Sequence, residues 1–143
     1  MAETQLDVEH LFTLELTTGD NKNAVIRGGP TGTRLIAAVT GGTFTGEKLS
    51  GTVVPPGGDW VHVRPNRTIH LDVRLLLVTD DGESILMTYN GVGVPQENAP
   101  TKIRSAPRFE VGAEAYAWLN DIQAVGIGTA ADGGVRYEVY ALS

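Results

Sequence analysis

The chain has 143 residues, 17 acidic against 11 basic side chains for a net charge of −6, and no cysteine. That length suits one domain able to bury about two-thirds of its unfolded surface, and the missing thiols exclude disulfides, thiolate zinc sites and cysteine nucleophiles. The acidic balance, with no cluster of lysine and arginine, argues against a nucleic-acid partner, which needs a concentrated basic face.

Met1 to Asp7 carries neither a basic nor an apolar leader, and no later stretch approaches the roughly 18 apolar residues of a membrane span. The expectation is a soluble, unexported, cytoplasmic protein with no membrane partner. The sequon Asn66-Arg67-Thr68 is then a chance match.

In chain order, the first run sets Leu6, Val8, His10, Phe12, Leu14 and Leu16 against Asp7, Glu9, Thr13, Glu15 and Thr17, a period of two broken only by Leu11. It predicts a half-buried antiparallel strand. Eighteen glycines punctuate further β-branched runs at about 24–27, 33–39, 42–46, 49–54, 59–64, 69–79, 84–91, 101–111, 121–129 and 135–142. Pro55-Pro56-Gly57-Gly58 is expected to interrupt strand pairing, with glycines that permit a sharp reversal. Asp81-Gly82 and Asp132-Gly133-Gly134 read as hairpin turns. Val92 to Pro100 reads as the longest loop, either a lid or a plain connection. The alanine-rich run 113–119 predicts one helical turn that needs packing to persist.

More than eight short strands in one domain spanning 1–143 suggest closure, because closure removes exposed edges. The predicted fold is all-β: a single closed antiparallel β-barrel, lipocalin-like or up-and-down. Within the 69–79 strand, Leu71, Val73, Leu75 and Leu77 share one face and His70, Asp72 and Arg74 the other. The charged face either meets water or lines a polar pocket. If it is inside, the leucine-rich face is outside and could pack in a homo-oligomer.

Several negative findings narrow the chemistry. His10, His62 and His70 form no H-x-H or H-E-x-x-H pattern, so no metal is expected. Gly126-Ile127-Gly128 lacks the third glycine of a dinucleotide site, and Gly28-Gly29-Pro30-Thr31-Gly32 lacks the lysine of a phosphate loop. No cofactor is expected, and no G-x-S-x-G elbow supports a serine hydrolase.

Gly41-Gly42-Thr43-Phe44, Gly58-Asp59-Trp60, Leu71-Asp72-Val73-Arg74, Thr79-Asp80-Asp81-Gly82, Tyr89-Asn90-Gly91, Pro107-Arg108-Phe109-Glu110 and Tyr116-Ala117-Trp118-Leu119-Asn120 together resemble a bacterial family known as domain of unknown function 3237. The resemblance spans nearly the whole chain and implies a single antiparallel barrel. Alternation alone leaves Asp72 and Arg74 as a surface ion pair or a pocket pair, and the resemblance, whose motif includes both, turns them inward.

On this reading Asp72 is a general base and Arg74 holds a substrate oxygen. Glu110, in an apolar setting, is the second carboxyl of an acid/base pair, and Tyr89 the third catalytic group. Trp60, Arg64, His70, Tyr116, Trp118 and Asn120 complete the expected ligand contacts. Core packing for the aromatics, a solvated strand position for Glu110 and turn closure for Asn120 are the structural alternatives. The leading expectation is cofactor-independent isomerase, cyclase or lyase chemistry on a small hydrophobic or aromatic carbonyl compound. Its rival is a lipocalin-like binding protein without turnover.

Overall fold

A computed structural model describes residues 2–19, 24–131 and 133–143. Ten strands follow in chain order: β1 (Val8–Thr18), β2 (Ala24–Gly29), β3 (Gly32–Thr45), β4 (Ser50–Val63), β5 (Ile69–Thr79), β6 (Ser84–Gln96), β7 (Ala99–Ser105), β8 (Arg108–Val111), β9 (Ala124–Ala131) and β10 (Gly134–Leu142). A 3₁₀ helix, Glu114–Asp121, stands where the sequence predicts a helical turn.

Every pairing is antiparallel, in the order β1-β10-β9-β7-β6-β5-β4-β3, and β1 pairs with β3 as well as with β10. Eight strands therefore close into a barrel, as the sequence predicts. β2 extends the β3 edge as a hairpin, and β8 pairs with the stretch of β6 that β7 leaves free.

The runs 33–39 and 42–46 are one strand, as are 49–54 and 59–64. Pro55-Pro56-Gly57 is thus a bulge inside β4 and not a reversal: the register moves from Val54↔Leu76 to Gly58↔Arg74, so β4 carries two extra residues. Proline's missing donor is tolerated there because a bulge is already unpaired. Val92 to Pro100 is not a loop. β6 runs on to Gln96, and only Glu97-Asn98 separates it from β7, with Asn98 in the left-handed region at φ 57°. The run 101–111 breaks at Ala106-Pro107 into β7 and β8.

Gly82, at φ 91°, turns the β5–β6 hairpin as expected. Gly133, at φ 80°, sits in the β9–β10 connection, whose Asp132 lies outside the described residues. The break at Leu11 is a β-bulge: the register slips between His10 and Phe12, which buries Leu11 and Phe12 together and leaves Val8 and His10 outside.

One end of the lumen is solid. Phe12, Phe44, Leu14, Leu75, Leu77, Ile85, Met87 and Val139 are fully buried, with Phe12 edge-on to Phe44 at 5.4 Å and to Phe109 at 6.0 Å. Each such side chain contributes roughly 1.5–3 kcal/mol by leaving water. Leu71, Val73, Leu75 and Leu77 all belong to this interior, so they cannot form the outer oligomer face considered above. Among the described residues no helix is long and apolar enough to cross a membrane.

The 3₁₀ helix caps the solid end through fully buried Leu119. Beside it, the Asn120 side chain accepts from Val111 N–H and donates to Val111 C=O, both at 2.9 Å. Asn120 is therefore a clamp on β8. Asn120→Ala leaves two backbone groups of a buried residue without these partners, and should cost about 2 kcal/mol in urea denaturation.

Candidate functional site

At the other end the interior side chains shrink to Ala37, Val39, Val61, Gly93, Ala130 and Gly134, and a cavity of about 280 Å³ opens. Its walls are mostly apolar, including Leu16, Leu35, Val63, Ile69, Leu71, Val73, Ile103 and Val135. Asp59, Tyr89 and Tyr137 bring polar groups to this wall from β4, β6 and β10. The volume lies just below the usual range for small-molecule pockets, and so suits a compact ligand.

Asp59 faces inward because it stands opposite Val73 and Ala37, both interior positions. Between the pairs Asp59↔Val73 and His62↔His70 the β4–β5 ladder is interrupted, and Asp72 N–H donates to Asp59 Oδ1 at 3.0 Å. Burial in the apolar wall raises the Asp59 carboxyl from 3.8 to about 6, opposed by that backbone hydrogen bond and assisted by the charge of Asp72. Among the described residues no cation pairs with it.

Tyr89 and Tyr137 are 4% and 2% exposed and meet edge to face, with ring centroids 5.4 Å apart. Burial raises both hydroxyls above their ordinary value; the interaction between the two raises Tyr89 further and opposes the rise at Tyr137, and the nearby Asp59 charge adds to both. Both are donors throughout the neutral range. Among the described residues the Tyr137 hydroxyl has no hydrogen-bond partner, and neither has the buried Ser105 Oγ.

Of the groups named from sequence, Tyr89 alone lines this cavity. Asp72 and Arg74 alternate with interior residues and are exposed on the outer wall, where among the described residues no ion pair joins them. Arg74 lies 5.5 Å from the ring centroid of Trp60, which is itself outside and 45% exposed. Glu110 is exposed on β8, opposite Leu86. Closure explains the correction: one face of every strand must fill the lumen, and the apolar face is the less costly one to bury.

The remaining candidates are scattered. Arg64 is exposed at the β4–β5 turn. His70 sits on the outer wall beside His62, where desolvation and then the charges of Arg64 and His62 hold its imidazole below the ordinary value. Tyr116 donates to Asp81 Oδ1 at 2.8 Å near the solid end, and Trp118 packs on the core there beneath Lys48, 5.3 Å away. Asn120 is the clamp already described. Among the described residues no three His, Asp or Glu groups converge as metal ligands.

The signal for Asp59 was present in the alternation, since it shares a face with Val61 and Val63. Tyr137 shares one with Val135 and Val139 in the same way. Asp59 stands between Gly58 and Trp60 with no second charge beside it, and Tyr137 between Arg136 and Glu138, whose charges belong to the outer face.

Because the native Asp59 binds its proton more tightly than the unfolded chain, its stabilising contribution is complete below pH 3.8 and is lost as pH rises through about 6. Asp59→Asn should therefore raise stability by up to about 2–3 kcal/mol at pH 8 and change it little at pH 4, as read by urea melts. Asp72→Asn, on the outer wall, should stay within about 0.5 kcal/mol of the parent at both pH values.

A family model described as "Protein of unknown function (DUF3237)" matches residues 6–142. A "UPF0311 protein" of Rhodopseudomonas palustris (strain TIE-1) is 34% identical over 139 residues, covering 88% of each chain. The "Hydroalkoxylation enzyme phnH" of Penicillium herquei is 31% identical over 129 residues, covering 86% of this chain and 74% of its own. The crystal structure of a β-barrel-like protein from Acinetobacter baumannii AYE superposes with a TM-score of 0.90 at 26% identity, covering 99% of both chains.

Proposed function

The chain belongs to the family described as Protein of unknown function (DUF3237), and from that premise we propose that it is a small-molecule enzyme whose lumen performs acid/base chemistry. The observation that carries this reading is Asp59, a carboxylate without a cationic partner among the described residues, set in an apolar chamber that two protonated phenols also line. A charge left in that setting reduces stability, and acid/base sites share this signature.

The name of the P. herquei relative supplies the reaction class, hydroalkoxylation. Carried to this chain, it is addition of a hydroxyl across a carbon–carbon double bond of the same small apolar molecule. Asp59 accepts the hydroxyl proton, the oxygen bonds to one alkene carbon, and Asp59 returns the proton to the other. The C=C π bond and the O–H bond are consumed, one C–O and one C–H bond form, and the product is an isomer of the substrate. Proton transfer and positioning suffice, so the step calls for no redox partner.

A carboxyl titrating near 6 suits both halves of this exchange, since it takes and returns a proton at neutral pH with little penalty in either direction. The apolar walls hold and orient the chain of the substrate.

The test is a panel of 2-alkenylphenols and 2-hydroxyphenyl enones followed by chiral chromatography. The wild type should form a cyclised isomer with enantiomeric excess, at a rate that rises as pH increases through about 6. Asp59→Asn should be slower by about 10²–10⁴. Equal rates in the two proteins, or racemic product throughout, would remove the enzyme reading, and binding without turnover would leave a carrier.

A further inference from the structure

Resting on the acid/base reading of the lumen, we infer that the substrate is a conjugated carbonyl compound, that its carbonyl oxygen is held by the hydroxyls of Tyr137 and Tyr89, and that Gly128 is the positioning residue that seats the Tyr137 ring.

The first observation is the Tyr137 hydroxyl. It belongs to a side chain 2% exposed that lines the chamber; its oxygen is almost closed to solvent and stands near enough to the Tyr89 hydroxyl for the two to perturb each other, yet no hydrogen bond of ordinary geometry reaches it among the described residues. A buried hydroxyl left unpaired is costly, so it is retained where a ligand completes it. Tyr89, edge-on to it, lines the same chamber. Both remain protonated, and two neutral donors in an apolar chamber select an acceptor oxygen.

The second observation is that Asp59 faces the same space. When its carboxylate takes the hydroxyl proton, the oxygen attacks the β-carbon of the enone. The C=C pair moves to the α-carbon–carbonyl bond, and the carbonyl π pair moves onto oxygen as an enolate. The two tyrosine hydroxyls meet that charge where it develops. The enolate then collapses as the α-carbon takes the proton back from Asp59. An isolated alkene would build charge on carbon, with none of these donors placed to receive it.

The third observation concerns β9. A Cβ added at Gly128 would lie 2.5 Å from both Cδ1 and Cε1 of Tyr137, so the ring lies directly on the strand backbone. Gly126 continues that floor, with Tyr137 Cδ1 3.4 Å from its added Cβ. Glycine in a strand interior is tolerated where something must approach this closely. Alanine at 128 forces the ring toward the chamber and carries the hydroxyl with it.

The experiment uses the intact protein with chromone labelled at its carbonyl carbon, a compact and unreactive probe, and indene as the hydrocarbon control. Chromone should bind with its carbonyl stretch lowered relative to hexane. Tyr137→Phe, which keeps the ring and its packing, should weaken chromone about tenfold, return the band toward its hexane position and leave indene unchanged. Gly128→Ala should weaken chromone as well, and the double variant should lose little more than either single one, because both remove the same hydrogen bond.

A chromone band indifferent to Tyr137→Phe overturns the carbonyl assignment. Independent, additive losses from Gly128→Ala and Tyr137→Phe overturn the seating role. Indene entering a lumen that refuses chromone overturns the substrate class while leaving the acid/base reading to the activity panel.

Discussion

Closure of the ring by β1, which pairs with β10 on one side and β3 on the other, is the constraint that everything else obeys. Once the eight-stranded ring is closed, inside and outside are settled residue by residue by a period of two, and only bulges can change the phase. The chain uses such places sparingly. Leu11 and the stretch between Val39 and Gly42 each shift the register by one, while the proline-rich insertion in β4 adds two residues and so preserves the phase. Asp59 is inside because that phase survives the insertion and Val53, Asp59 and Val61 stay on one face.

The same constraint divides the lumen into two regimes. Where phenylalanine, leucine and methionine project inward, dispersion and burial fill the space and hold the ring. Where alanine, valine and glycine project inward, the ring stays closed but the space stays open. The solid end thus supplies the stability against which a desolvated carboxylate and an unpaired hydroxyl can be maintained. This is the usual relation between a rigid scaffold and a strained site.

Much of the barrel is legible in the sequence because alternation and turn chemistry are local. The β1 alternation, Asp81-Gly82 and the run 69–79 each carry their own evidence. What is not local is harder to read. Val92 to Pro100 has the composition of a loop, yet β6 continues through it because β7 lies alongside to pair with it. Pro55-Pro56 has the composition of a turn, yet β3 and β5 flank it and carry the strand across. For the site, Asp72 and Arg74 attract attention as charges in a strand, but a strand of a closed barrel has a wet side, and leucines leave that side to them. Asp59 is quieter in sequence because it is a single charge on the face of Val61 and Val63, with no second polar group beside it to mark a site.

The chamber has a floor at its solid end. With that end plugged among the described residues by packed side chains and a clamped 3₁₀ helix, entry and exit share the open end. Such a cul-de-sac is poorly matched to reactions that expel a fragment, since the fragment would have to pass its parent on the way out. It is well matched to a single molecule that folds upon itself and departs as one piece.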